Sequence, residues 1–373
     1  MTAPLPAVPS PADSPAKVSL VDLKENDLKE NGLPEIASFV ARQSGQIPSE
    51  TLARLTWLLL ENPARHAGDR VPLGCGVRAA NNELVGCILY LPQMFISGSM
   101  PFLVLGSSCF YVDESHRGSG GALFLKFARA ANRWPLFGNS ANPIAAQLWK
   151  ARGATPIPDS DHELLGVIHW PPVIEELSAQ SGIAQPLARA TGAATAWLRH
   201  VRKLRLPLDS GTELVRLSSV EEVMELPLRD PSGIPTAQRD DSYIRWRYFS
   251  RNDPTIAVFS FRNRKAQAPA FVAVNERPRG HRGQIRSVNL LDVFPKPDSD
   301  TMAEIVAALH EKYSARTDMI VLRNLDPESQ RKLQQAGFRR RNFESPNGWL
   351  LNRSAHPPTN NFHFVPADGD WII

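Results

Sequence analysis

Arg117, Gly120 and Ala122 fall in the order R-x-x-G-x-A within "DESHRGSGGALFLKFARAANR", which runs from Asp113 to Arg133 and turns apolar at helical spacing after its glycines. A strand, a glycine-rich turn and a helix start together aim several backbone N–H groups at one point, where the positive end of the helix dipole also lies. Such a place binds phosphate. Glycines suit it because a Cβ would hold the ligand away and because some turn positions take φ above zero. Two familiar phosphate loops are excluded by spacing. A Walker loop needs G-K-[ST] at the helix start, where this chain has Gly120-Gly121-Ala122; a dinucleotide fingerprint needs G-x-G-x-x-G, and Gly118-x-Gly120 is followed by Leu123.

The same residues, preceded by the strand-like "CFYV", resemble the pyrophosphate-binding motif of the GNAT superfamily of acyl-CoA N-acyltransferases. The resemblance implies acetyl-CoA or another acyl-CoA as co-substrate and no metal. It assigns Arg117, Gly118, Ser119, Gly120, Gly121 and Ala122 to the phosphate cradle, and Phe110 and Val112 to backbone contacts with the pantetheine arm. Members of the family often carry a second motif, N-x-x-A-x-x-L-Y-x-x-x-G-F, and Asn142, Ala145, Leu148 and Gly153 fall at those spacings. Asn142 is thereby placed at the cofactor site. The motif's tyrosine, a proton donor to the leaving thiolate in many members, is Trp149 here, and its phenylalanine is Ala154. Coenzyme A still leaves tolerably, because a thiol pKa is near ~8.5 and a general acid contributes only ~10² to 10⁴ in rate. Tyr111, Glu114 and His116 are the candidates for proton transfer. Each also suits a plain role, Tyr111 in a sheet core and the other two in a solvated turn.

Hydrophobic periodicity supplies the elements that must hold these residues. Two helices over "EIASFVARQSGQIPSETLARLTWLLLENP" precede a three-stranded meander from Leu73 to Asp113. The glycine loop and its helix come next, then a strand in "RWPLFGNS", a helix in "ANPIAAQLWKARGA" and a closing strand in "HELLGVIHW". A second pass in similar order starts at Thr212. The expected fold is α/β (α+β), with two tandem GNAT-like domains, each a mixed, mostly antiparallel sheet flanked by helices. Residues 1–33 read as a disordered tail, 34–172 as the domain with the intact motif, and 173–208 as a connector. Residues 209–355 read as a degenerate second domain and 356–373 as a C-terminal tail. Where the second domain's loop should lie, "VFPKPDSDTMAEI" has no R-x-x-G-x-A, and Asp298 and Asp300 would repel a pyrophosphate. Only the first domain is therefore expected to bind the cofactor.

"SYIRWRYF" brings Trp246 and Arg247 forward as acceptor-binding residues, the ring for stacking and the guanidinium for an anion. A helix packed on its own sheet accounts for them equally. That segment and the ending "FHFVPADGDWII" resemble those of tandem GNAT-like proteins associated with bacterial polysaccharide biosynthesis, which implies an amine on a small molecule, amino sugar or nucleotide sugar as acceptor. In the connector, "WLRHVRKLRL" is a basic amphipathic helix that fits an anionic membrane surface or a packed interdomain face.

A net charge of +4 over 373 residues is too weak for a dedicated nucleic-acid binder. No apolar run reaches the ~18 residues of a membrane span. The first residues lack the basic and apolar regions of a secretory signal, and three cysteines without a C-x-x-C pair suit reduced thiols; the expected compartment is the cytoplasm. The scattered histidines form no metal set. Three functions remain: an acyl-CoA-dependent N-acyltransferase, a peptidoglycan-type aminoacyltransferase drawing on aminoacyl-tRNA, and a non-catalytic binding or scaffold protein with the same fold.

Overall fold

In a computed structural model, the described residues are 18–24, 32–66, 71–180, 204–206, 212–226, 228, 233–263, 269–281, 283–354 and 362–369. The chain divides into two compact units. The first comprises Met1–Leu60, Arg70–Leu91 and Ser107–Ala130; the second comprises Glu61–Asp69, Pro92–Gly106 and Ala131–Ile373.

In the first unit, helix α1 (Leu33–Ser44) opens with Pro34, buries Ile36, Phe39 and Val40 on one face, and stops at Gly45, whose φ of +68° suits a residue without a Cβ. Helix α2 (Pro48–Leu55) follows and runs on as a π-helical turn over Thr56–Leu60. Strand β1 (Ser19–Leu23) pairs antiparallel with β2 (Gly74–Arg78), and β2 with β3 (Leu84–Ser97), of which residues 84–91 belong to this unit. Gly74 is obligatory, because a Cβ there would lie 2.3 Å from the carbonyl oxygen of Ile88. Strand β4 (Met100–Val112) contributes residues 107–112, and helix α3 (Gly120–Ala128) packs on β1 and β2. The expected disordered tail over residues 1–33 needs correction. Ser19–Leu23 forms a ladder with β2, burying Leu23, because five consecutive residue pairs satisfy backbone groups that β2 would otherwise leave open.

In the second unit, residues 92–97 of β3 and 100–106 of β4 carry further strands. β9 (Thr236–Ala237) pairs with β3, and β5 (Leu136–Gly138) runs parallel to β4 through Leu105↔Leu136. β15 (Trp349–Leu351) lies between β5 and β6 (Thr155–Pro156). A separate seven-stranded sheet has the order β14-β7-β13-β12-β11-β10-β8. Its strands are β7 (His162–Val167), β8 (Thr212–Leu217), β10 (Ile256–Asn263), β11 (Ala270–Arg279), β12 (Ile285–Phe294), β13 (Met319–Leu322) and β14 (Arg339–Asn342). Every pairing in it is antiparallel except β12 with β13. The remaining helices are α4 (Pro143–Ala151), α5 (Trp170–Gln180), α6 (Val220–Met224), α7 (Asp241–Ile244), α8 (Ser299–Tyr313) and α9 (Pro327–Gln335). Two mixed, mostly antiparallel sheets flanked by helices are thus present, as expected.

The sheets do not divide at residue 172. β7, expected to close the first domain, sits between β13 and β14, where Leu164 joins the apolar cluster of Phe259, Val288 and Ile320. β15, near the end of the second pass, completes the sheet of β5 and β6 instead. Periodicity marks a segment as a strand; its partner is decided by which edge it can complete. The C-terminal tail also needs correction, since Phe362 and Phe364 are buried with Phe95, Phe137 and Leu350. Of the basic segment "WLRHVRKLRL", Trp197 to Lys203 lie outside the described residues.

A buried polar network anchors that terminal segment. Arg239 lies 3.1 Å from both Asp292 and Asp368, Tyr248 donates to Asp292 at 2.7 Å, and the Val365 N–H donates to Asp368 at 2.8 Å. Burial, reinforced by Asp292, outweighs the Arg239 charge and pushes the Asp368 carboxyl up to about 6. Unfolded, it would titrate near ~3.9. The folded protein then binds more protons between these values, so this group's contribution to stability falls as pH rises from about 4 to about 6 and is flat above. Urea unfolding of wild type and Asp368→Asn should show a wild-type advantage that shrinks across that window. A difference growing with pH would mean that Asp368 titrates below its ordinary value.

Candidate functional site

The strand leading to the glycine loop is irregular at one residue. Cys109 has a φ of +52°, a left-handed conformation rare for a residue with a side chain and costing ~1–3 kcal/mol. Strict alternation therefore does not carry from Cys109 to Tyr111, which is half-buried on β4. Phe110 packs its ring on Phe124 of α3 at 5.9 Å. Asp113 then fixes where the loop begins: its N–H donates to Val85 O at 2.8 Å, and its carboxylate accepts from Gln43 and, at 3.4 Å, from Arg42.

Glu114–Ser119 wind into a 3₁₀ turn that passes directly into α3. Ser119 Oγ donates to His116 O at 2.8 Å, and the Gly120 N–H donates to Arg117 O. No side chain caps the start of α3, nor of α1 or α2, whereas Asn142, Ser219, Asp240, Asp298 and Asp326 cap α4, α6, α7, α8 and α9. Leu123, Phe124 and Phe127 bury the helix's inner face; Phe127 stacks on Tyr90 at 5.0 Å, and Tyr90 Oη donates to Phe127 O. Lys126 pairs with Asp22 of β1 at 2.7 Å.

The loop glycines are not explained by the fold itself. None of Gly118, Gly120 and Gly121 has a positive φ. A Cβ at Gly118 or Gly121 would meet nothing within 4 Å, and one at Gly120 would touch only Val112 Cγ2 at 3.7 Å, an ordinary contact. Side chains are absent where they would reach into open space. Gly118, Gly121 and Ala122 are exposed, and the Arg117 guanidinium is 73% exposed, 3.4 Å from the equally solvated Glu114 carboxylate. An uncapped helix start, an unobstructed approach and an adjacent cation fit a phosphate group.

The remaining expected site residues have local partners. Glu114 pairs with Arg117, and His116 Nδ1 lies 2.9 Å from Ser115 Oγ, both on the surface turn. Asn142 belongs to the second unit, where its side-chain oxygen accepts from the Ala145 N–H at 2.8 Å and caps α4. Asn142→Ala should lower the unfolding free energy by about 1 kcal/mol, read from urea titrations. The acceptor-binding expectation for Trp246 and Arg247 is corrected. They lie in a π-helical turn with 4% and 1% exposure, Arg247 donating to Gly369 O, because that face of the turn points inward. Arg54 was not foreseen, although "ETLARLTWLLL" places it as a lone cation in an apolar helical run; its Nη2 lies 4.0 Å from Cys109 Sγ. The three cysteines form no disulfide and are buried, and burial raises the Cys87 thiol well above its usual range.

No protein-family model and no curated protein matches the chain. Solved structures do. A conserved protein from Enterococcus faecalis, described as a probable N-acyltransferase, is 12% identical, with a TM-score of 0.54 over 90% of this chain and 72% of its own. A GCN5-related N-acetyltransferase from Anabaena variabilis is 9% identical, with a TM-score of 0.53 over the same shares. The N-myristoyltransferase of Saccharomyces cerevisiae with bound myristoyl-CoA is 12% identical, with a TM-score of 0.50 over 96% and 85%. At such identities the likeness is one of fold. Among the described residues no helix is long and apolar enough to cross a membrane, and no cluster of histidine, cysteine and carboxylate side chains could hold a metal.

Proposed function

We propose that this protein is an acyl-CoA-dependent N-acyltransferase. The observation that carries the reading is the loop itself: Gly118 and Gly121 lack side chains where only open space lies, at an uncapped helix start beside Arg117. The diphosphate of the acyl-CoA would lie against the open side of the turn at Gly118, Gly121 and Ala122, with the Gly120 N–H already given to Arg117 O and Arg117 exchanging Glu114 for phosphate. Residues 110–112 would run beside the pantetheine arm, with the thioester toward Cys109, and a backbone N–H of that strand would receive the oxyanion.

The amine nitrogen attacks the thioester carbonyl, the C–N bond forms, the C–S bond breaks, and the proton lost by the amine passes through water while coenzyme A leaves as a thiol. Orientation of the two reactants supplies most of the acceleration. Tyr111 is the candidate donor to the leaving sulfur; Glu114 and His116, on the outer turn, are candidates only for relaying the amine's proton. The acceptor is the amine of a small molecule, the enzyme working in the cytoplasm. An amino-sugar or nucleotide-sugar acceptor is supported only by the likeness of the C-terminal sequences, now that Trp246 and Arg247 are interior. Calorimetric titration with acetyl-CoA tests the reading: saturable binding supports it, and no heat from folded protein sinks it in favour of aminoacyl-tRNA or scaffold functions.

A further inference from the structure

Three guanidiniums converge on one carboxylate, Glu163 of β7, whose side chain has no exposure. Arg279 reaches it from the end of β11. Arg323, just after β13, donates to it through Nε at 3.0 Å and Nη2 at 2.8 Å, and Arg341, directly opposite on β14, has its Nε at 3.0 Å. Other ion pairs of the second unit hold at least one carboxylate for each arginine, as in Arg286 with Asp318 and Arg239 with Asp292 and Asp368. Here the ratio is three to one, so two positive charges have no counter-charge in the cluster. Glu176, a buried carboxylate of α5 beside Gly280, accepts from the His281 N–H and from Gln284 and is no partner of Arg279. The guanidiniums remain within reach of solvent, their side chains being 19%, 14% and 52% exposed at Arg279, Arg323 and Arg341. Arg279 meets Glu163 through Nη2 alone and Arg341 through Nε alone; their other N–H groups have no acceptor among the described residues. The Phe343 ring lies 5.4 Å from the Arg323 guanidinium and 5.7 Å from that of Arg341. Burial outweighs the pull of Glu163 and, with the repulsion of Arg279 and Arg341, brings Arg323 down to about 10, which is the mark of positive charge in excess.

We infer that Arg279, Arg323 and Arg341 form a phosphate-binding site in the second unit, with Glu163 gathering them before the ligand arrives. Three guanidiniums alone would repel one another; a buried carboxylate on their inner side holds them together and leaves their outer N–H groups to an anion. A surplus of two charges matches a phosphate monoester, which carries about −1.5 to −2 at neutral pH, whereas a carboxylate would cancel only one. Planar guanidinium edges also suit phosphate oxygens, each edge offering parallel donors. The site belongs to a different unit from the glycine loop and does not rest on the acyl-CoA reading. The phosphate has two sources: free inorganic phosphate, acting as an effector, or a small amine that carries a phosphate.

The test compares wild type, Arg341→Gln, which removes the most exposed cation while Arg279 and Arg323 still hold Glu163, and Arg341→Lys, which keeps the charge without the planar edge, each checked for folding by thermal melting. Inorganic phosphate, phosphoethanolamine and, as the control without phosphate, ethanolamine are titrated by calorimetry. Gly121→Glu is titrated beside them, so that phosphate bound at the glycine loop is told apart. Saturable phosphate binding that weakens roughly 10- to 100-fold in Arg341→Gln, less in Arg341→Lys and not in Gly121→Glu supports the inference. Equal affinity for inorganic phosphate and phosphoethanolamine then makes free phosphate the source; tighter phosphoethanolamine with no ethanolamine binding makes it a phosphorylated amine. Should Arg341→Gln fail to fold, Arg341→Lys decides by the same comparison. No phosphate binding by folded wild type, binding unchanged in Arg341→Gln, or binding lost in Gly121→Glu overturns the inference. Acetyl-CoA titration of the same wild-type protein decides the acyl-CoA reading separately.

Discussion

Replacing Gly121 by glutamate is expected to weaken acetyl-CoA binding at least about 100-fold while the protein stays folded. The fold has room for the substitution: a Cβ at Gly121 meets nothing within 4 Å, the backbone φ is negative, and the residue is exposed on the first turn of α3. What changes is the space in front of the amides. The new carboxylate would fill the approach with bulk and set a negative charge against the diphosphate; like charges brought together cost several kcal/mol, and each ~1.4 kcal/mol is tenfold in affinity. Gly121→Gln separates the two effects, since it keeps the bulk and omits the charge, and should retain more affinity than Gly121→Glu. A melting curve for each variant, overlaid on wild type, secures the comparison. Equal acetyl-CoA affinity in all three proteins would show that the phosphates do not lie on this turn.

The largest effect on stability is expected at Arg239. Arg239→Met should cost about 3 to 5 kcal/mol in urea unfolding, because one guanidinium serves two carboxylates with no exposure and its loss leaves both buried without a counter-charge. The carboxylates hold Arg239 firmly charged, more than offsetting the effect of burial, and it also donates to Ala237 O. Adding Asp368→Asn to Arg239→Met should recover part of the loss, since one of the two stranded charges disappears. The cost should also shrink toward about pH 5, where Asp368 takes up a proton more readily than in the unfolded chain. An Arg239→Met protein as stable as wild type would mean that the carboxylates find other donors, and the network would then not be what holds residues 362–369.

The glycine loop was legible without coordinates because its evidence is local. Three glycines and an arginine between a β-branched strand and an apolar-periodic helix can be read from spacing, and the structure has that strand, turn and helix in sequence. The capping role of Asn142 is equally local, an Asn before Pro143 at the first turn of a helix, although its spacing also suited a cofactor motif. Trp246 and Arg247 were misplaced for a related reason: an aromatic beside an arginine reads the same whether its helical turn faces solvent or core.

Residue order, through hydrophobic period and turn chemistry, determined which segments are strands and helices, the mixed and mostly antiparallel class of the sheets, and the loop able to take a phosphate. Tertiary structure alone decided where β7 and β15 pair, that Ser19–Leu23 covers β2, that Phe362 and Phe364 enter the core, and that Arg54 meets Cys109. The physical reason is range. Backbone conformation is set by neighbours a few positions away, whereas strand partners and side-chain encounters are set by which open edge or unpaired group, far along the chain, has the most to lose by remaining exposed.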